Sequence, residues 1–180
     1  VNVSNNVGSG IGGVTYGVFR DVTINGNSGS GMNCSGNYGT TPFPNVQGLT
    51  ISNNGSGGLS IYGQNYSPTF SDVTIINNSG YGVYSSYMST PSINNAIISG
   101  NLGNGVSVTS NASPNFNDVK ILGNQGNGIG RTVSWFNSLG NFTRTTISGN
   151  LGHGVYGWAI LTDVTISNNG SDGFNGSCTL

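Results

Sequence analysis

The chain has 180 residues, a net charge of −1, only 5 % charged side chains and no glutamate, against about a quarter charged in ordinary soluble domains. Its four bases, Arg20, Lys120, Arg131 and Arg144, are scattered along the sequence, which excludes the clustered cationic surface that nucleic acid requires. No apolar run approaches the roughly 18 residues of a membrane span.

A polar, Gly-rich chain is disordered when β-branched and aromatic residues are sparse. Here Val, Ile and Phe recur at fixed places, which predicts a packed core. The repeat begins at Val3 and returns at Ile24, Ile51, Ile75, Ile98, Ile121, Ile147 and Ile166. Three residues after each comes an asparagine: Asn6, Asn27, Asn54, Asn78, Asn101, Asn124, Asn150, Asn169. Four residues further is a glycine (Gly10, Gly31, Gly58, Gly82, Gly105, Gly128, Gly154, Gly173), and an apolar residue always follows it. Upstream, an apolar column precedes the Ile by five residues: Phe19, Val46, Phe70, Ile93, Phe116, Phe142, Leu161. Another precedes it by two: Val22, Leu49, Val73, Ala96, Val119, Thr145, Val164. Successive units are 21, 27, 24, 23, 23, 26 and 19 residues long, and all the variation lies outside the Ile-to-apolar segment.

Val-x-Ile alternates with period two and places both side chains on one face of a short strand. Asn-x-x-x-Gly is turn chemistry, with glycine supplying positive φ. A second strand follows, with core positions one and three residues after the glycine, as in Leu59 and Ile61. Pro44, Pro68, Pro91 and Pro114 close the variable loops and set up an extended entry. A unit of roughly 23 residues without helical period buries its apolar face only by stacking on copies of itself. The expected architecture is all-β: a right-handed parallel β-helix of about eight coils, a single domain over 1–180, with Asn27, Asn54, Asn78, Asn101, Asn124, Asn150 and Asn169 stacked as a structural ladder. No cap is evident at either end, so the expectation is a segment of a longer solenoid.

The stretches Phe70-Ser-Asp-Val-Thr-Ile-Ile-Asn-Asn-Ser-Gly-Tyr-Gly-Val83 and Leu161-Thr-Asp-Val-Thr-Ile-Ser-Asn-Asn-Gly-Ser-Asp-Gly-Phe174 resemble the β-helix repeats of the pectate-lyase-like superfamily. That resemblance implies the fold over nearly the whole chain. It leaves function open, because the superfamily includes lyases, hydrolases, epimerases, tailspikes and surface proteins of no known chemistry.

Enzymes of this kind need clustered carboxylates, to hold a metal or to act as acid and base. Four aspartates share one column, Asp21, Asp72, Asp118 and Asp163, but they alternate with Gly48, Asn95 and Arg144. The pattern reads as like-charge avoidance in a ladder, with Arg144 pairing with Asp118, Asp163 or both. His153 and Asp172 occupy one slot in successive coils, which predicts neighbours about 5 Å apart joined by a surface hydrogen bond. Cys34 falls in a core slot and reads as a small buried hydrophobe. Ile76, Ile97 and Leu122 outline an outward apolar patch. The aromatics Tyr38, Phe43, Tyr62, Tyr66, Tyr84, Tyr87, Trp135, Tyr156 and Trp158 fall in loops and outer positions, where rings beside Asn and Ser suit sugars. Tyr62, Tyr84, Trp135, Tyr156 and Trp158 are the candidate carbohydrate-binding residues.

No catalytic residue, metal ligand or cofactor is assigned from the sequence. The reading it favours is a non-enzymatic, extracellular structural or adhesive solenoid, assembling into a filament or cell-surface layer. The alternative is a carbohydrate-binding or polysaccharide-acting β-helix whose catalytic residues the sequence does not identify. The partners that follow are a second copy end to end, other domains of the same chain, or a polysaccharide.

Overall fold

Each repeat supplies two short apolar segments that leave their backbone groups unpaired until the next repeat stacks on them. The chain solves this by winding into a right-handed parallel β-helix of about seven turns. The computed structural model describes residues 1–36, 42–131 and 140–179. Eight copies of the motif bound seven complete turns, which accounts for the difference from the expected eight coils. The strands of the described residues join one 17-stranded sheet, and the coil-to-coil pairings are parallel, as in Thr69–Ile76 against Ser92–Ser99.

The long strands, such as Val18–Asn25, Asn45–Ser52, Thr69–Ile76 and Asn115–Leu122, hold both upstream apolar columns. In Thr69–Ile76 the buried residues are Phe70, Val73 and Ile75. The alternation slips by one residue at Asp72, which has φ 56°. A left-handed residue in a strand bends it and re-aims the side chains beyond. The same slot is left-handed in the other coils: Asp21, Gly48, Asn95, Asp118, Arg144 and Asp163. A second left-handed column lies just before the ladder asparagines and contains only Asn or Gly: Asn5, Gly26, Asn53, Asn77, Gly100, Gly123, Gly149 and Asn168. These are the residues that tolerate that conformation.

The repeated glycine of the Asn-x-x-x-Gly turn has a different role from the one its turn context predicts. It is absent from the left-handed positions. A Cβ on Gly82 would lie 2.6 Å from the Gly105 carbonyl oxygen and against the Cγ2 of Ile98. Close approach of the next coil, not backbone angle, is what demands glycine there.

The ladder is continuous. Each asparagine Oδ1 accepts two hydrogen bonds from the preceding coil, one from the backbone N–H and one from Nδ2 of its counterpart. Asn78 donates both to Asn101 Oδ1, at 3.0 and 3.0 Å. Asn101 donates to Asn124 in the same way, at 3.0 and 2.9 Å. The Nδ2 groups also reach strand carbonyls, as from Asn101 to Ile75 at 3.3 Å. The ladder residues from Asn27 to Asn150 are fully buried. A buried amide in an apolar interior is tolerated because every donor and acceptor is used.

Core side chains stack in files. Phe116 and Phe142 lie face to face, with centroids 4.8 Å apart and planes at 4°. Thr145 replaces valine in its file and donates its hydroxyl to the Thr143 carbonyl at 3.2 Å. Packed against this core, Val3, Ile11, Phe19, Val164, Ile166 and Phe174 are partly buried.

Asn101→Ala removes the acceptor of two buried donors on Asn78. It is expected to lower stability by on the order of 2–4 kcal/mol, read by thermal or denaturant unfolding. A change within a few tenths of a kcal/mol would show that the ladder is not what holds the coils together.

Candidate functional site

The strand after each glycine presents its core residues inward and its alternate residues outward. Two outward columns flank the close-packed glycine, one residue before it and two residues after. In four successive coils these segments read Tyr81-Gly-Val-Tyr84, Asn104-Gly-Val-Ser107, Asn127-Gly-Ile-Gly130 and His153-Gly-Val-Tyr156. The strand register places Tyr84 beside Ser107, Ser107 beside Gly130, and Gly130 beside Tyr156.

The outcome is a track along the solenoid with a ring pair at each end. Tyr81 and Tyr84 are 5.2 Å apart between centroids and tilted by 32°. His153 and Tyr156 stack at 5.4 Å and 20°. Three coil spacings separate the pairs, about 14 Å at roughly 4.8 Å per coil. Between them lie the half-buried amides of Asn104 and Asn127, while Ser107 and Gly130 are buried beneath. Asn104 Oδ1 accepts the Asn127 backbone N–H at 2.8 Å, and Asn127 Oδ1 accepts that of His153 at 2.8 Å. This second, shorter ladder fixes the orientation of both side chains. Asn104 Nδ2 donates to Ser107 Oγ at 3.2 Å.

Four of the candidate carbohydrate residues lie on this side of the solenoid. Tyr84 is half-buried, and Tyr156 is 45 % exposed. Tyr62 and Trp158, 46 % and 45 % exposed, hold the outward slot four residues after the glycine in their own coils. Trp135 lies outside the described residues. Tyr62 stacks on Tyr87 at 5.0 Å and 15°. Tyr87 and Met88 both have positive φ, 54° and 57°. An exposed tyrosine held in that conformation costs about 1–3 kcal/mol and belongs to the kind of strain that clusters at working surfaces. Trp158 has the Arg131 guanidinium carbon 6.0 Å from its ring centroid. Sequence reasoning singled out Tyr84 and Tyr156 but missed that Tyr81 and His153 complete them. The signal was the shared ring-Gly-Val-Tyr pattern in the fourth and seventh coils.

His153 and Asp172 are neighbours, as their shared slot requires. Nδ1 lies 3.3 Å from Asp172 Oδ2, but the pair is within ion-pair reach without being hydrogen-bonded, contrary to the expected surface bond. The Asp172 carboxylate instead accepts from Asn175 Nδ2 at 2.8 Å.

The aspartate column is a column of strand corners. Its residue types follow from the left-handed φ that Asp, Asn and Gly share. The charges are managed as expected: Asp72 accepts from Asn95 Nδ2 at 2.7 Å, and Arg144 binds Asp118 through two hydrogen bonds of 2.7 and 2.8 Å. That pairing holds the Asp118 carboxyl below its ordinary range and raises the Arg144 guanidinium. Both partners are exposed, so the pair adds little to stability. Among the described residues no three His, Cys, Asp or Glu side chains come together to hold a metal.

The remaining titratable groups of note belong to the core. Cys34 is buried and free, in register with Ile61. Burial pushes its thiol up to about 12, because the thiolate is poorly solvated there. Tyr66, expected at the surface, is instead wholly buried and donates to the Val14 carbonyl at 2.6 Å. It meets Phe43 edge to face at 5.7 Å. Burial, then the neighbouring Cys34, raises its phenol.

Stacked parallel coils, a buried amide ladder and an outward track define a right-handed β-helix protein. The chain belongs to the family described as right-handed β-helix region, whose match spans residues 1–134. No curated protein matches the sequence. Among solved structures it is similar to the A-module of mannuronan C-5 epimerase AlgE4 from Azotobacter vinelandii, with TM-score 0.72 and 19 % identity, covering 99 % of this chain and 56 % of that one. It is also similar to the periplasmic alginate epimerase AlgG, with TM-score 0.63 and 18 % identity, covering 91 % and 43 %. A third is pectate lyase Pel9A, with TM-score 0.57 and 12 % identity, covering 98 % and 64 %. The chain thus spans about half the length of the epimerases it matches, and at these identities the likeness is one of fold.

Two measurements check the corner and core assignments. Asp72→Asn should leave the melting temperature nearly unchanged, whereas Asp72→Val should destabilise by about 1–3 kcal/mol because a β-branched residue resists positive φ. Equal effects from both would mean that the carboxylate matters rather than the backbone. Cys34 should resist a thiol reagent at pH 8 in the folded protein and react on unfolding. Prompt labelling of the native chain would contradict its burial.

Proposed function

We propose that this chain is a polysaccharide-binding β-helix, with the glycan lying along the solenoid axis over the track from Tyr81 and Tyr84 to His153 and Tyr156. The observation that carries the reading is the pair of ring platforms, three coil spacings apart, with oriented amides between them. Rings offer an apolar face to the C–H side of a pyranose, and amides answer its hydroxyls. Loops and outward faces on a rigid scaffold are where function is built.

The solved structures of similar fold support this reading over a purely structural one, since they are a mannuronan epimerase, an alginate epimerase and a pectate lyase. The alginate epimerase AlgG is periplasmic, and we place this chain likewise outside the cytoplasm. The rigid rod then serves to hold the glycan track rather than to form a filament.

Affinity electrophoresis through gels carrying a panel of soluble polysaccharides, both charged and neutral, tests the proposal. At least one should retard the chain. Tyr156→Ala should reduce that retardation, and Lys120→Ala, on the strand Asn115–Leu122, should leave it intact. No retardation by any member, or retardation indifferent to Tyr156, would overturn it.

A further inference from the structure

We infer that the glycan taken by this track is uncharged. The inference rests on the polysaccharide reading above and specifies its substrate class.

The whole chain has four cationic side chains; three lie on the long strands or their corners, and the fourth, Arg131, is engaged with Trp158 beside the track. Arg20 donates to Gln47 at 2.6 Å in the early coils. Lys120 lies on a long strand between Ile97 and Thr146. Arg144 is committed to Asp118 at a strand corner. Arg131 follows Gly130, but its side chain lies against the Trp158 ring and over Gly157. Residues 132–139 add no charge of either sign.

A polyuronate brings a carboxylate on every sugar. Taking a carboxylate from water is unfavourable unless a cation or several donors meet it. The track offers Tyr81, Tyr84, Asn104, Asn127, His153 and Tyr156. The fixed charge at its end, Asp172 beside His153, is negative and repels a polyanion. Rings and amides are the complement of a chain that carries hydroxyls alone. Asn104 and Asn127 suit this role because their Oδ1 atoms are occupied by backbone N–H groups. Each Nδ2 is thereby turned away from its ladder bond. Asn104 Nδ2 is shared with Ser107, and Asn127 Nδ2 has no partner among the described residues.

Isothermal titration of the full chain with mixed-linkage β-glucan, glucomannan and dextran, beside sodium alginate and polygalacturonate, at low and high salt, tests the inference. The expected result is binding of a neutral glycan that is unchanged by salt. It should weaken about tenfold in Tyr156→Ala and be restored in Tyr156→Phe, which keeps the ring and checks that the fold is intact. Binding only of alginate or polygalacturonate, weakened by salt, would overturn the uncharged assignment and leave the polysaccharide reading standing. Binding of neither class, with the Tyr156→Phe protein folded, would remove both.

Discussion

The structure depends on one buried amide repeated from coil to coil. Each ladder asparagine closes its own turn and, through a single Oδ1, receives two donors of the coil before it. A buried amide left without partners is costly, so the ladder is satisfied only if every coil presents its asparagine at the same height and angle. That demand explains the neighbouring columns. The residue before the asparagine turns left-handed and is Asn or Gly throughout. The glycine four residues later must be bare, because the carbonyl and isoleucine of the next coil occupy the place of its Cβ. The segment whose length never changes is the segment the ladder fixes.

The candidate function lies at the end of that segment and just beyond it, where residue type varies although the spacing to the glycine does not. The residue before the bare glycine stands half-buried at the surface in these coils, whereas two residues after it Ser107 and Gly130 are buried and Tyr84 and Tyr156 are not. Two coils there carry ring pairs and the two between them carry Asn, Ser and Gly. Because these side chains ride on laddered strands, their spacing is set by the parallel-sheet repeat rather than by a flexible loop. A regular ligand with its own repeat is the natural complement of such a surface. The strained Tyr87, stacked on Tyr62 one coil earlier, extends the aromatic surface at one end, and Trp158 extends it at the other.

The aspartate column shows how a residue pattern can suggest chemistry while serving geometry. Four carboxylates on one file invite an acid–base or metal reading. Their left-handed φ, shared with Gly48 and Asn95 in the same slot, accounts for the residue types without it. Arg144 is the exception, a long side chain in a conformation it does not favour, and its two bonds to Asp118 are the visible compensation. Tyr66 makes the reverse point. Its loop position and hydroxyl suggest surface, yet it fills the interior and finds its one partner, the Val14 carbonyl, 52 residues back.

The sequence by itself determined the repeat, the parallel stacking, the asparagine ladder and the burial of Cys34, because each follows from side-chain period and from residue types that few environments accept. It also placed Tyr62, Tyr84, Tyr156 and Trp158 among the aromatics of loops and outer positions. It could not tell that Tyr81 and His153 join Tyr84 and Tyr156 as ring pairs. Ring orientation depends on the tertiary surroundings of the turn before the glycine, where the His153 backbone N–H is held by Asn127. Nor could it separate the glycine needed for close approach from those needed for positive φ. Both are permitted by the same missing Cβ, and only the position of the neighbouring coil distinguishes them.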